Sequence, residues 1–404
     1  MVATVVEKNL LENLPDRLSD YLEAQHLGIV FDPATYDAMA KDVIAKLGGK
    51  YTITPVDLGK KPKPRIDTAD QLRRTLAPCD AVIAVGSGTI NDLCKYVSFR
   101  LGVPYAVIAT APSMNGYVSS TASLIFGRQK SSVQAHQPKA LFADVGVLCE
   151  APRKLLRAGL GDVLCRSTVQ SDWLLSHRLT GSPYDGSVFD KIIPLEAEMV
   201  AQARLLTEKD PTFTKLLMRL LILSGQAMHD VGSSAPASQA EHMVVHMYDM
   251  IYGEERGVES FHGEQVAVAS VAVSRIQDKL LVKKPKIKPI LEKVDRFERL
   301  FGKDEGKRLF EIYERKAIDQ EKAEALAAKI ESNWADIKAE IEELRLPSSK
   351  YEMTLKKANC PTTYRDVAWH KDRFEHCLTH AHLTRDRFTF LDLAAMDVTV
   401  RFSI

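Results

Sequence analysis

Cysteine is scarce, at six residues in 404, and Cys79, Cys94, Cys149, Cys165, Cys360 and Cys377 form no CxxC pair. That excludes a disulfide framework or a cysteine-rich zinc module and suits buried free thiols in a reducing compartment. Long apolar runs are missing too, since no stretch approaches the roughly 18 residues of a membrane span. The opening "MVATVVEKNLLENLPDRLSDYL" carries acids and a proline where a secretory leader needs an unbroken apolar core. A cytoplasmic protein without membrane insertion is the expectation. Charge of one sign is also lacking: the net charge is +1, which gives no electrostatic reason to expect nucleic acid as a partner. The chain has 45% hydrophobic and 26% charged residues, an ordinary globular balance. Its length predicts two or three domains.

The first 150 residues alternate short apolar runs with amphipathic stretches. "GIVFD" (28–32), "YTITPVDL", "DAVIAVGSG" (80–88) and "PYAVIATAPS" (104–113) read as strands. "YDAMAKDVIAKLG", "TADQLRRTL" with Thr68 as N-cap, and "TINDLCKYVSFRLG" read as helices between them. Such alternation predicts an α/β domain with a mostly parallel, Rossmann-like sheet covered on both faces. Beyond residue 152 the texture turns helical, notably over 212–230, 237–252 and 263–281, so the second domain is expected to be all-α. The predicted domains are therefore 1–152 and 153–404. "LLVKKPKIKP" (280–289) reads as an exposed connector, and the tail segments "DRFTFLDLA" and "DVTVRFSI" fit either helix or strand.

Three constellations carry chemistry. Gly86, Ser87 and Gly88 lie between a buried strand and a helix start, where glycines permit positive φ and close backbone approach to a phosphate. With Asp92 they spell GxGxxxD, which is not the common dinucleotide fingerprint. "IATAPSMNGYVSSTASL" (108–124) leaves the next strand with Thr110, Ser113, Asn115 and Ser119. Both loops belong beyond the carboxyl ends of neighbouring strands, where open α/β sheets bind cofactors. Asp32, after the first strand, fits two roles, acceptor of a ribose hydroxyl or cap of the following helix. In "QAEHMVVHMYDM" (239–250), His242 and His246 share one helix face. Alone, that pair fits a metal site or an ordinary helix, and it lacks the zinc-protease order in which Glu follows the first His.

"GSGTINDLCKY", "TAPSMNGYVSSTASL", "GLGDVL", "GSSAPASQAEHMVVH" and "FHGEQVAVASV" occur in an order that resembles the glycerol-1-phosphate dehydrogenases. These belong with the iron-containing alcohol dehydrogenases, glycerol dehydrogenases and dehydroquinate synthases. The resemblance runs from about residue 28 to at least 275, and the tail "CLTHAHLTRDRFTFLDLA" is similar to the family's closing helix. It implies a dehydroquinate synthase-like fold, NAD(P)H as cofactor and one divalent metal. The metal expected is Zn²⁺, with Ni²⁺ or Fe²⁺ as alternatives, held by Asp162, His242 and His262. His246 then lines the pocket or relays a proton, and Asn115 and Arg166 face the substrate. The implied reaction reduces dihydroxyacetone phosphate to sn-glycerol 1-phosphate. The alternatives are a dehydroquinate-synthase-like lyase using NAD transiently, or a polyol dehydrogenase acting on an unphosphorylated substrate. Partners expected are the small-molecule ketone and further copies of the chain. Three positions depart from the family pattern: Asn115 stands where Asp is usual, Arg166 where Lys is frequent, and Ala235 where typical members carry Arg. These departures bear on the substrate, and they leave the cofactor and metal residues untouched.

Overall fold

A computed structural model describes residues 2–126, 129–253 and 260–397. Six parallel strands form one sheet: β1 (Ala3–Glu7), β2 (His26–Phe31), β3 (Thr52–Asp57), β4 (Ala81–Gly86), β5 (Tyr105–Ala109) and, after a hairpin, β8 (Ala140–Asp144). The hairpin pairs β6 (Thr121–Phe126) with β7 (Gln129–Gln134) in antiparallel register. The helices that matter for the site are α1 (Ile66–Leu76), α2 (Gly88–Leu101), α3 (Arg153–Leu164), α4 (Arg166–Thr180), α5 (Pro211–Val231), α6 (Ala240–Tyr252), α7 (His262–Leu281), α8 (Gln320–Leu344) and α9 (Phe390–Met396).

The chain divides into two compact units, Met1–Val163 with Lys191–Gly232, and Leu164–Asp190 with Ser233–Ile404. It passes from the first to the second at 163/164, returns at 190/191 and leaves again at 232/233. The texture change near residue 152 therefore precedes the first crossing, and α5 keeps company with the sheet.

In the first unit the strand order is β1-β8-β5-β4-β2-β3. β4 and β5 are buried at every position, as expected of strands covered on both faces. Side chains alternate between faces, so Ile29, Ile83, Val85 and Ile108 pack on one side with Met39 and Val43. Val30, Val82, Ala84 and Val107 pack on the other with Leu72, Leu93 and Val97. β3 carries Pro55 and lies at the sheet edge, the position where a missing N–H is tolerated. Strand order reverses between β2 and β4. The crevice of such a sheet opens at that switch point, beyond the carboxyl ends. β2 ends there just before Asp32, and β4 ends at Gly86.

One expected helix start is corrected. α1 begins two residues before Thr68, because Arg65 is held extended by a bridge to Ile125, whose amide bonds to the Pro64 carbonyl at 2.7 Å. Thr68 thus sits inside the first turn rather than capping it.

The second unit packs α4, α6, α7, α8 and α9 around one apolar core that includes Val169, Val244, Val266, Trp334 and Leu391. Asp172 on α4 is fully buried, and its carboxylate accepts from the amide of Ala240 (3.2 Å), the first residue of α6, and of Phe390 (2.9 Å), the first of α9. Burial pushes this carboxyl up, with nearby Glu241 adding to the effect, and the two amides oppose it. The tail segment "DRFTFLDLA" resolves into helix: Thr389 caps α9 in a reciprocal box with Asp392. Of "DVTVRFSI", all but Asp397 lies outside the described residues.

Candidate cofactor and metal site

In the first unit the glycine loop turns from β4 into α2 through Ser87, which is extended (φ −121°, ψ −151°). No side chain caps α2, so its leading amides and dipole are offered to an anion. The reason for the glycines differs from the sequence expectation, since neither Gly86 nor Gly88 has a positive φ. A Cβ on Gly86 would lie 2.5 Å from Ile90 Cδ1, so that glycine serves internal packing. A Cβ on Gly88 would meet only Met114 Sδ, at 3.4 Å, leaving room beside the helix start for a ligand. Asp92, half-buried, follows in the first turns of the same helix.

The neighbouring loop is tied to this turn, because the Thr110 amide donates to the Gly86 carbonyl (3.2 Å). Thr110, Ser113, Asn115 and Ser119 are all buried. Lys95 was not singled out by the sequence, yet it holds the loop. Its ammonium, fully buried on α2, donates to the carbonyls of Gly116 (2.5 Å) and Thr121 (3.1 Å) and to Ser119 Oγ (3.1 Å). Burial pulls its pKa down to about 8, opposed by the charge of Asp92. Asp32 takes the capping role: its carboxylate accepts from the Thr35 amide at 2.8 Å in a reciprocal box.

Asn115 and Asp162 are brought together. The Asn115 amide donates to Asp162 Oδ2 at 2.7 Å, and the Asn115 side chain reaches Ser224 Oγ at 3.3 Å. Two glycines explain this approach. A Cβ on Gly159 would fall 1.8 Å from the Pro112 carbonyl oxygen, so only glycine lets α3 lie against the loop. Asp162 comes three residues later, on the same helix face. A Cβ on Gly225 of α5 would likewise lie 2.4 Å from the Asn115 carbonyl oxygen.

In the second unit three imidazoles converge. The His242 ring lies 5.2 Å from that of His262 and 6.1 Å from that of His246, and His246 stacks on His262 at 5.5 Å. His242 and His246 are one turn apart on α6, and His262 is the first residue of α7. Glu241, fully buried, bonds to His242 Nδ1 at 2.8 Å. A carboxylate at this place only accepts, so the contact favours the tautomer with the proton on Nδ1. The same carboxylate accepts from the Gln239 amide (2.9 Å) and lies 3.2 Å from Thr168 Oγ1. Cys165 also comes within 4.8 Å of the ligand atoms of Glu241 and His242. With its oxygens so engaged, Glu241 is placed to orient the His242 ring. Nothing in its sequence context except adjacency to His242 marked it. Arg166, buried on α4, directs Nη1 to Gln170 Oε1 (2.7 Å) and the Leu344 carbonyl (2.8 Å).

All six cysteines are buried and unbridged. Burial pushes the thiols of Cys79, Cys94 and Cys377 up, which leaves them poor nucleophiles at neutral pH. None of the helices in the described residues is long and apolar enough to cross a membrane.

Residues 5–152 match the family model described as iron-containing alcohol dehydrogenase. The chain is 33% identical over 279 residues to a glycerol-1-phosphate dehydrogenase [NAD(P)+] of Halalkalibacterium halodurans, covering 67% of this chain and 70% of that one. It is 31% identical over 267 residues to the enzyme of that name from Pyrococcus furiosus, covering 66% and 75%. The corresponding Bacillus subtilis protein is 27% identical over 385 residues, covering 93% and 87%. Among solved structures, a probable glycerol dehydrogenase from Sinorhizobium meliloti superposes with a TM-score of 0.63 at 14% identity, covering 98% of this chain and 95% of that one. A 2-deoxy-scyllo-inosose synthase reaches 0.53 at 14% identity, over 69% and 74%. These two likenesses establish the dehydroquinate synthase-like fold. With relatives above 30% identity over two thirds and more of their own length, the chain belongs to the glycerol-1-phosphate dehydrogenase family of iron-containing alcohol dehydrogenases.

Proposed function

We propose that the protein reduces dihydroxyacetone phosphate to glycerol 1-phosphate with NAD(P)H, using one divalent metal held by Asp162, His242 and His262. The convergence of the imidazoles, with Glu241 fixing the proton of His242, carries this reading. A carboxylate and two neutral imidazoles suit Zn²⁺ first, and Ni²⁺ or Fe²⁺ next. Such an ion supplies Lewis acidity toward the oxygens of the ketone. The nicotinamide supplies the hydride.

The remaining work falls to the chain. The uncapped start of α2, with Gly86, Ser87 and Gly88, binds the pyrophosphate, and Asp92, Thr110, Ser113 and Ser119 support the cofactor around it. Asn115 and Arg166 orient the substrate. His246, half-buried beside the other two rings, passes a proton to the reduced oxygen. On this reading residues 1–152 serve the cofactor and residues 153–404 the metal and substrate, in a cytoplasmic homo-oligomer. The test is NADH or NADPH oxidation at 340 nm by Zn²⁺-loaded protein with dihydroxyacetone phosphate, dihydroxyacetone and glyceraldehyde. Turnover is expected with the phosphorylated ketone. Absence of oxidation with all three would overturn the reading.

A further inference from the structure

The loop Gly232–Ser238 leads into α6 and contains no charged residue. Its cation comes from elsewhere in the second unit. Arg387 donates from Nη2 to Ser234 Oγ at 2.9 Å and from Nη1 to the Ser238 carbonyl. These bonds use two of the five N–H donors of the guanidinium. Arg385 lies nearby, and its charge weighs on Arg387. Both side chains are half-buried, and among the described residues neither has a carboxylate within ion-pair distance. Asp386, between them in sequence, is exposed and pairs with Arg315 at 3.6 Å. Burial lowers the pKa of both guanidiniums; that of Arg387 falls to about 10, with Arg385 as the next cause.

Asp386 and Glu241 act on these cations only from beyond ion-pair distance, and two like charges so partly withdrawn from water are costly unless an anion completes the set. The charge of Glu241 is felt at Arg387, and Glu241 itself touches His242. The cations therefore stand in the electrostatic neighbourhood of the proposed metal ligand. We propose that Arg387, assisted by Arg385, forms the anion subsite that takes the phosphate group of the substrate. The proposal rests on the phosphorylated-ketone reading above and adds the residues that read the phosphate. A planar guanidinium held by two bonds offers its remaining donors in a fixed fork, the geometry that matches phosphate oxygens. Ser234 and Ser238 act as positioning residues for that fork.

The experiment uses full-length, Zn²⁺-loaded protein and two readouts. Inorganic phosphate affinity is measured by calorimetry, and KM is measured for dihydroxyacetone phosphate and for dihydroxyacetone. Arg387→Gln is expected to weaken phosphate binding and raise KM for the phosphorylated ketone, each by about tenfold or more. The unphosphorylated ketone should change by less than about twofold, and metal content and NADH affinity should hold. Arg385→Gln should shift the same quantities in the same direction by a smaller factor. Equal losses for both ketones would show a brace for the loop and overturn the proposal, as would unchanged phosphate affinity. If the unmutated protein turns over neither ketone, the functional reading fails, and the phosphate titration alone decides this one. If Arg387→Gln shows no cooperative melting, Arg385→Gln decides, and an unchanged phosphate affinity there overturns the proposal.

Discussion

The two units present different kinds of group. In the first, the groups on offer are largely backbone: the amides at the start of α2, the carbonyls that hold Lys95, and the Asn115 amide that holds Asp162. Glycines set the shape, because a Cβ at Gly86, Gly159 or Gly225 would strike a neighbour. In the second unit the groups are side chains: three imidazoles and a carboxylate that meet from α6 and α7, and the Arg387 guanidinium bonded to the loop that leads into α6. A backbone site is damaged by adding atoms and a side-chain site by removing them.

The sharpest break of that contrast removes one imidazole. His262→Ala should lose the metal and lower kcat by about a thousandfold or more, roughly 4 kcal/mol of transition-state stabilisation. Cofactor affinity should persist, as checked by metal analysis beside fluorescence titration with NADH. Full activity in a metal-free variant would refute the ligand assignment. Next in size is an added atom. Gly159→Val places a Cβ against the Pro112 carbonyl and should destabilise the first unit by about 3 kcal/mol or more, read from urea unfolding. An unchanged midpoint would mean that α3 does not depend on this close approach.

Lys95 is a fully buried side-chain charge within the backbone-built site, and its pKa gives a pH signature. The folded value of about 8 lies below the 10.5 of the free group, so between these pH values the unfolded chain binds more protons. Stability relative to Lys95→Met should therefore rise from pH 8 to 10.5, by at most about 3 kcal/mol. Below pH 8 the difference should be flat. A difference that falls over the same window would contradict the buried, desolvated placement. The smallest effect concerns orientation. Glu241→Gln should weaken Zn²⁺ binding about 10–100-fold in chelator competition, with the fold intact. Nitrogen NMR of His242 should show the Nδ1 proton lost or exchanged with Nε2. An unaltered tautomer and affinity would return Glu241 to a purely structural role.

The same division explains what could be read beforehand. β2, β4 and β5 declared themselves as unbroken apolar runs, and Gly86-Ser87-Gly88 as a strand-to-helix turn, because those are local properties of the chain. β1, β8 and the β6–β7 hairpin were not singled out, since their residues follow no distinctive period and gain their identity only from partners distant in sequence. Asp32 fitted two roles in the sequence, and the Thr35 amide, three residues away, takes its carboxylate as a cap. The ordered motifs marked Asp162, His242 and His262 through a resemblance. Lys95 and Arg387 stayed hidden, since their partners are 21 to 149 residues away, and Glu241 was marked by nothing but its adjacency to His242. Charged side chains are ordinarily solvated, and nothing local announces that these are not.

Asp172 has a consequence in time. Its carboxylate secures the starts of α6 and α9 together, yet Phe390 is synthesised 150 residues after Ala240 (390 minus 240). At about 5–20 residues per second that interval is roughly 8–30 s. During it, the first turn of the histidine-bearing helix has only part of its anchorage, with a buried carboxylate awaiting its second amide. The growing chain thus carries its histidine-bearing helix through that whole interval before the second amide arrives to complete the Asp172 anchorage.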